Sequence, residues 1–148
     1  MLMLLFHVGQ DRYACGCEHI LEIIPSIELK PLSHMPEYVT GSVIYGGKPL
    51  PVIDWCHLVG EGSCQSSFHT RIIIFRVGSE ERVFEFGLMA ERVTKTMNIS
   101  DKEFVDSGVK VEGFTFFDKV MTDEWGSTQL INLEKLVSFL QNAVCGVQ

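Results

Sequence analysis

The sequence predicts a mainly β protein built from small, strongly bent antiparallel barrels with a few short helices. Three observations carry this prediction. Short runs rich in β-branched and aromatic residues recur along the chain, separated by Gly, Pro, Asn, Asp and Ser turn signals. No stretch alternates a strand with a long helix, which removes a doubly wound α/β fold, and no Gly-rich phosphate loop follows a strand. Hydrophobic residues make up 46% and charged residues 21% of 148 residues, the balance of one compact unit or of two small lobes sharing a core. Folding at this length buries roughly 68–70% of the unfolded surface, so neither disulfides nor metal are needed for a core.

Met1–Val8 is an apolar run, Gly9–Arg12 a polar turn and Tyr13–Cys15 the returning strand. Between Cys17 and Ile24 the residues Ile20, Leu21, Ile23 and Ile24 fit a short helix that Pro25 halts. Ser26–Leu32 alternates Ile27, Leu29 and Leu32 with Ser26, Glu28 and Lys30, the pattern of a strand with one wet face. Pro36 places Ser33–Tyr38 in a loop. Gly41–Tyr45 and Pro49–Asp54 flank a Gly46-Gly47 hairpin signal. Because Pro51 has no N–H for a ladder, Pro49–Asp54 is expected at a strand start or along an edge.

Cys56–Val59 forms a turn of helix, and the small polar stretch Gly60–Ser67 marks an approximate lobe boundary near 60–70 within a single domain spanning 1–148. Arg71–Val77, with Ile72, Ile73, Ile74 and Phe75 in succession, reads as a strand buried on both faces. Gly78–Glu81 turns the chain, and Arg82–Thr96 returns as one long strand bulged or bent at Gly87. Ile99–Val111 is polar and turn-rich. Phe114–Val120 pairs with Thr128–Asn132 across Asp123–Gly126, and Leu133–Ala143 closes the chain as an amphipathic helix. The total is roughly nine strands.

Charge and motif chemistry narrow the function. Twelve Lys+Arg against nineteen Asp+Glu give a net charge of −7, which opposes attraction to phosphate backbones, so nucleic acid is not an expected partner. The apolar opening Met1–Phe6 is too short for a signal core or a spanning helix, so no direct membrane insertion is expected and the location is read as cytoplasmic. An odd count of five cysteines favours reduced thiols used for packing.

Cys15, Cys17 and His19, with Cys56 and His57, lack the Cys-x-x-Cys spacing of a zinc site. Cys56 beside His57 or His69 lacks an oxyanion motif for thiol catalysis. Asp118, Asp123 and Glu124 read as a solvated turn, and Phe114, Phe116 and Phe117 as core. No catalytic residue, metal site or cofactor emerges. A β-rich domain with hairpin edges and no active site has the character of a binding module.

The stretch from Met35 to Asp54 resembles the signature of CheW-like domains, in which a G-V-x-N-x-R-G hairpin leads into x-P-V-x-D-L. Ile20-Leu21-Glu22-Ile23 resembles the family's V-x-E-I segment, and Gly87–Val93 its G-x-x-V-D-x-V strand. Leu130–Leu136 resembles the closing strand and helix, so the likeness spans nearly the whole chain. The resemblance implies two five-stranded SH3-like barrel lobes around a shared core and no enzymatic activity. It implies an adaptor linking the cytoplasmic tip of methyl-accepting chemoreceptors to the regulatory domain of a CheA-type histidine kinase, at receptor arrays on the inner face of the membrane.

On that resemblance the partner-binding residues are Ile20, Glu22, Ile24, Val43, Tyr45, Gly46, Gly47 and Lys48 in the first lobe. Leu88, Met89 and Arg92 are expected to line an inter-lobe groove of the second. The sequence departs from the family where Gly46 stands for Arg and Ile44 for Asn, with milder changes at Glu91 and Ser33. Losing an Arg fork at an interface costs about 1–3 kcal/mol, which weakens or redirects partner choice without altering the fold. Alternative readings are an adaptor of a dedicated surface-sensing or second-messenger pathway, and a β-barrel that holds a small ligand.

Overall fold

The computed structural model describes residues 1–60, 62, 69–79, 81–106, 116–117, 119–124 and 126–144. The apolar opening forms β1 (Leu2–Val8), which pairs antiparallel with β2 (Asp11–Gly16) across the turn at Gly9. A single 3-10 turn at Cys17–His19 leads into β3 (Ile20–Pro25). The Gly-Gly hairpin is present as β4 (Val39–Tyr45) and β5 (Lys48–Asp54), followed by the one-turn helix α1 (Trp55–Leu58). Strands β6 (Arg71–Ser79), β7 (Arg82–Ala90), β8 (Arg92–Asn98), β9 (Val105–Asp106), β10 (Lys119–Asp123) and β11 (Gly126–Leu130) follow. Helix α2 (Leu133–Val144) ends the described chain.

The strands form two sheets, as the mainly β fold class requires. One has the order β8-β1-β2-β11-β10-β9 and the other β3-β6-β7-β5-β4. All five strands of the second sheet lie between residues 20 and 90, so this sheet is inserted between the two halves of the first. The segment 60–70 falls largely outside the described residues, and β5 and β6 on either side of it both belong to the five-stranded sheet.

Period-two alternation explains how both sheets are filled. On β6, Ile73 and Phe75 face a core shared by the two sheets, while Ile72 and Ile74 face a second core with Val43, Leu50 and Val52. This is the strand buried on both faces that the apolar run predicts. On β1, Leu4, Phe6 and Val8 enter the shared core, and Met3 packs with Ala14, Ile99, Phe104 and Met121 in a third cluster. Trp55 is the hub of the shared core: its ring lies 5.3 Å from Tyr13, 5.4 Å from Phe117, 6.0 Å from Phe6 and 6.1 Å from Phe116, all edge-on or tilted. Leu133, Leu136, Val137 and Leu140 of α2 close this core, as their spacing predicts.

Four expectations are corrected. Residues 20–25 form a strand rather than a helix, because a register shift between Ile20 and Glu22 breaks the strand's two-residue period and mimics helical spacing. Ser26–Leu32 is not a strand and keeps only one bridge, Lys30 to Ser42, because Pro25 and Pro31 remove donors at both ends. Residues 82–96 are two strands, not one, since the chain bends at Glu91 and β8 crosses to pair with β1 in the other sheet.

Gly87 makes no bulge. It sits in regular register opposite Ile74, and a Cβ there would lie 2.8 Å from Ile72 Cγ2 and 3.2 Å from Val52 Cγ2. The edge expectation for Pro49–Asp54 holds for half of β5. Pairing with β7 begins only at Val52, past both prolines, so neither is asked to donate on that side. Phe114 and Asp118 lie outside the described residues.

Candidate partner-binding site

The five-stranded sheet curls until its two edge strands meet. Tyr45 on β4 donates its hydroxyl to the Glu22 carboxylate on β3, although these strands stand at opposite ends of the sheet order. Nearby, the segment after β3 bridges β4 through Lys30 N–H to Ser42 O at 3.0 Å and Ser42 N–H to Lys30 O at 2.8 Å. This approach explains Gly41, whose φ is +157° and where a Cβ would lie 2.7 Å from Lys30 O. The lobe is therefore a curled sheet joined along a seam, not a barrel closed by a full strand pairing.

Around the mouth of this lobe four polar side chains gather. The Glu22 hydrogen bond, with lesser help from partial burial and the charges of Glu22 and Glu85, pushes the Tyr45 phenol above its ordinary range. Lys48 Nζ stands 4.0 Å from Glu85 Oε1, a solvent-exposed pair of small energetic weight. Tyr45 pairs with Lys48 across the hairpin tip, where Gly46 (φ +57°) and Gly47 (φ +81°) adopt the two left-handed conformations of a type I′ turn. On the same two edge strands Leu21, Ile23 and Ile44 are exposed, Ile44 most of all at 57%, with Ile23 and Ile44 on the face opposite to Glu22 and Tyr45. Edge strands with polar side chains on one face and exposed aliphatic ones on the other have the mixed character of a protein-docking surface.

The remaining expected site residues lie elsewhere. Val43 is buried in the second core, and Ile24 and Met89 pack against it, so these three support the surface from below. Ile20 packs against the shared core. Leu88 is fully buried in the shared core. Consecutive residues on a strand point to opposite faces, so Leu88 and Met89 do not line one groove together. Arg92 is exposed on β8, at a separate hollow lined with His7, Gly9, His69 and Glu91. Sequence reasoning missed Glu85. Its only signal is a charged residue between Phe84 and Phe86, which marks an outward position but names no partner.

The thiols do not converge on chemistry. Cys15 is a free, buried thiol whose pKa burial drives far upward, and Cys17 is free and shifted up by burial as well. Cys56 is disulfide-bonded, which corrects the expectation of reduced cysteines throughout. Its sulfur has no proton to give, so its 3.4 Å approach to Glu91 Oε1 is a contact and not a hydrogen bond. Cys64 and Cys145 lie outside the described residues.

Asp123 accepts from Arg12 Nη2 at 2.8 Å, and Glu124 is exposed. Among the described residues no three His, Cys, Asp or Glu side chains are grouped to hold a metal, and no helix is long and apolar enough to cross a membrane.

Comparison with known proteins decides the family. The CheW-like domain matches residues 2–141. The chain belongs to the CheW-like domain family. It is 24% identical over 138 residues to protein FrzA of Myxococcus xanthus, covering 93% of this chain and 84% of that protein. It is also 27% identical over 101 residues to a chemotaxis protein CheW of Rhizobium meliloti (strain 1021), covering 68% of this chain and 63% of that one.

The solved structure of the scaffolding protein TtCheW from Thermoanaerobacter tengcongensis superposes with a TM-score of 0.76 at 20% identity, covering 89% of this chain and 84% of that chain. That likeness establishes the CheW fold. Membership places the chain among scaffold and adaptor domains of chemotaxis-type signalling, a family of non-enzymatic proteins.

Proposed function

We propose that this CheW-like chain is a non-enzymatic adaptor that couples the cytoplasmic tip of a methyl-accepting chemoreceptor to the regulatory domain of a CheA-type histidine kinase. The family match over residues 2–141 carries this reading. The Glu22–Tyr45 and Lys48–Glu85 cluster, with Leu21, Ile23 and Ile44 exposed on the same edge strands, supports it. Apolar groups in such a surface provide affinity, and the charged rim sets register and encounter rate. The protein acts at the inner face of the membrane through its receptor and inserts nothing itself.

A second reading is favoured by one observation. The hairpin tip lacks the family's Arg and Asn, presenting Gly46 and a largely exposed Ile44 instead. An adaptor dedicated to one receptor and one kinase, with an output other than swimming, fits a surface altered in this way.

Co-sedimentation with a receptor cytoplasmic fragment and its cognate kinase, with autophosphorylation read in the same tubes, tests both. Ternary assembly with changed kinase activity is expected, and Glu22→Lys is expected to reduce it. Failure of the folded protein to bind either partner would refute the adaptor reading. Assembly with the cognate pair but not with a general chemotaxis pair would select the dedicated form.

A further inference from the structure

The six-stranded sheet carries a second feature, far from the Glu22–Tyr45 seam. Register places Arg92 of β8, His7 of β1, Arg12 of β2 and Thr128 of β11 side by side in one row across four strands. Directly opposite residues share a face, so the histidine sits between two arginines. One step along β1, Leu5 stands opposite Lys95.

These side chains border a groove of about 510 Å³ lined by Leu5, His7, Arg12, Thr94, Lys95 and Thr128. It meets at His7 a smaller hollow that includes Arg92. Among the described residues the groove lining contains three basic groups and no acid, within a chain of net charge −7.

Several details show that this row is not satisfied within the protein. His7 Nδ1 is buried and makes no hydrogen bond. Arg92 and Arg12 flank His7 from the two neighbouring strands, so both charges add to the positive field at the histidine. Arg12 is partly neutralised, because Asp123 Oδ1 and Gly126 O hold its Nη2 at 2.8 and 3.1 Å. Arg92 and Lys95 form no ion pair among the described residues. The one acid of the adjoining hollow, Glu91, accepts from Gly9 N–H at 3.4 Å. Leu5 gives the groove an apolar wall, and the Thr94 hydroxyl is turned away to donate to Leu5 O at 3.3 Å.

We propose that this groove binds a small amphipathic organic anion, a single carboxylate carried on a short apolar body. The carboxylate would sit between Lys95 and Arg92 beside the His7 imidazole, and the apolar body would lie on Leu5. The net acidity of the chain disfavours polyanions, and the size of the groove suits a small molecule rather than a helix. Burial, with Arg12 and Arg92, holds His7 below its ordinary pKa, so a bound anion would move it upward. Such a site is independent of the adaptor reading and would survive its failure.

The test is an amide-resolved NMR titration of the full chain with hexanoate, hexan-1-ol and inorganic phosphate in parallel. Hexanoate is expected to give saturable shifts confined to Leu5, His7, Arg12, Thr94, Lys95, Thr128 and their neighbours, with hexanol and phosphate each at least roughly tenfold weaker. The exposed Lys95→Gln, which leaves the core untouched, should weaken hexanoate about fivefold to tenfold and leave hexanol unchanged. Saturating hexanoate should raise the His7 imidazole pKa. Hexanol or phosphate binding as tightly as hexanoate, shifts mapping elsewhere, no saturation in the millimolar range, or indifference to Lys95→Gln would each overturn the proposal.

Discussion

Replacing Gly87 by Ala adds one methyl group at the most crowded point of the five-stranded sheet. Its φ is ordinary for a strand, so backbone strain plays no part and the effect is one of space. The new Cβ would stand 2.8 Å from Ile72 Cγ2 and 3.2 Å from Val52 Cγ2, against the ~3.5–4.0 Å at which carbon atoms attract. Both neighbours are fully buried, and both belong to β-branched side chains with one strongly preferred rotamer, so neither swings aside freely.

Overpacking of this kind costs about 1–3 kcal/mol. For a chain of this size that corresponds to a fall in Tm of about 3–10 °C. Urea unfolding followed by tryptophan fluorescence measures it, since Trp55 lies in the shared core. Ile72→Leu removes the γ2 methyl, so the double variant should be less destabilised than the two single changes added together. A Gly87→Ala protein as stable as the parent, or strict additivity with Ile72→Leu, would refute the packing argument.

Gly46→Arg restores the family's cation at the hairpin tip, where no atom lies within 4 Å of the added Cβ. It should fold at a cost of about 1–2 kcal/mol for the left-handed backbone, and should tighten kinase or receptor binding about 5- to 100-fold, read by calorimetry. Glu22→Gln should lower the Tyr45 phenol pKa, followed by ultraviolet titration, because the carboxylate that accepts its proton-bearing hydroxyl is gone. His7 is held below its ordinary 6.5, so its contribution to stability is complete above pH 6.5 and is lost as pH falls through the folded-state pKa. His7→Asn should flatten that part of a stability-against-pH curve. With a net charge of −7, association with a basic partner surface should slow as salt rises, a trend that stopped-flow mixing resolves.

The parts of the fold that were legible in the sequence are those where one physical signal dominates. Ile72–Phe75 reads as a doubly buried strand because no polar residue interrupts it, and Gly46-Gly47 reads as a hairpin because adjacent glycines suit the positive φ of the primed two-residue turns. Residues 20–25 misread because a bulge erases their period, and the break at Glu91 is hidden because β7 and β8 both continue as strands while changing sheets. Resemblance supplied Glu22, Tyr45 and Lys48 as site residues. Their hydrogen bond and ion pair, the role of Glu85, and the Arg92–His7–Arg12 row depend on long-range register, which local pattern does not encode.

The alternate faces of β6 belong to two different cores, so this strand is a wall common to both. Opening the five-stranded sheet exposes Ile73 and Phe75 along with Ile72 and Ile74, and therefore strips the shared core of Ile73 and of Phe75, one of its largest side chains. The two sheets then have no separate melting points. A calorimetric scan should show one transition whose calorimetric and van't Hoff enthalpies agree, and the slowest amide exchange in the molecule should fall on β6 at the global unfolding limit.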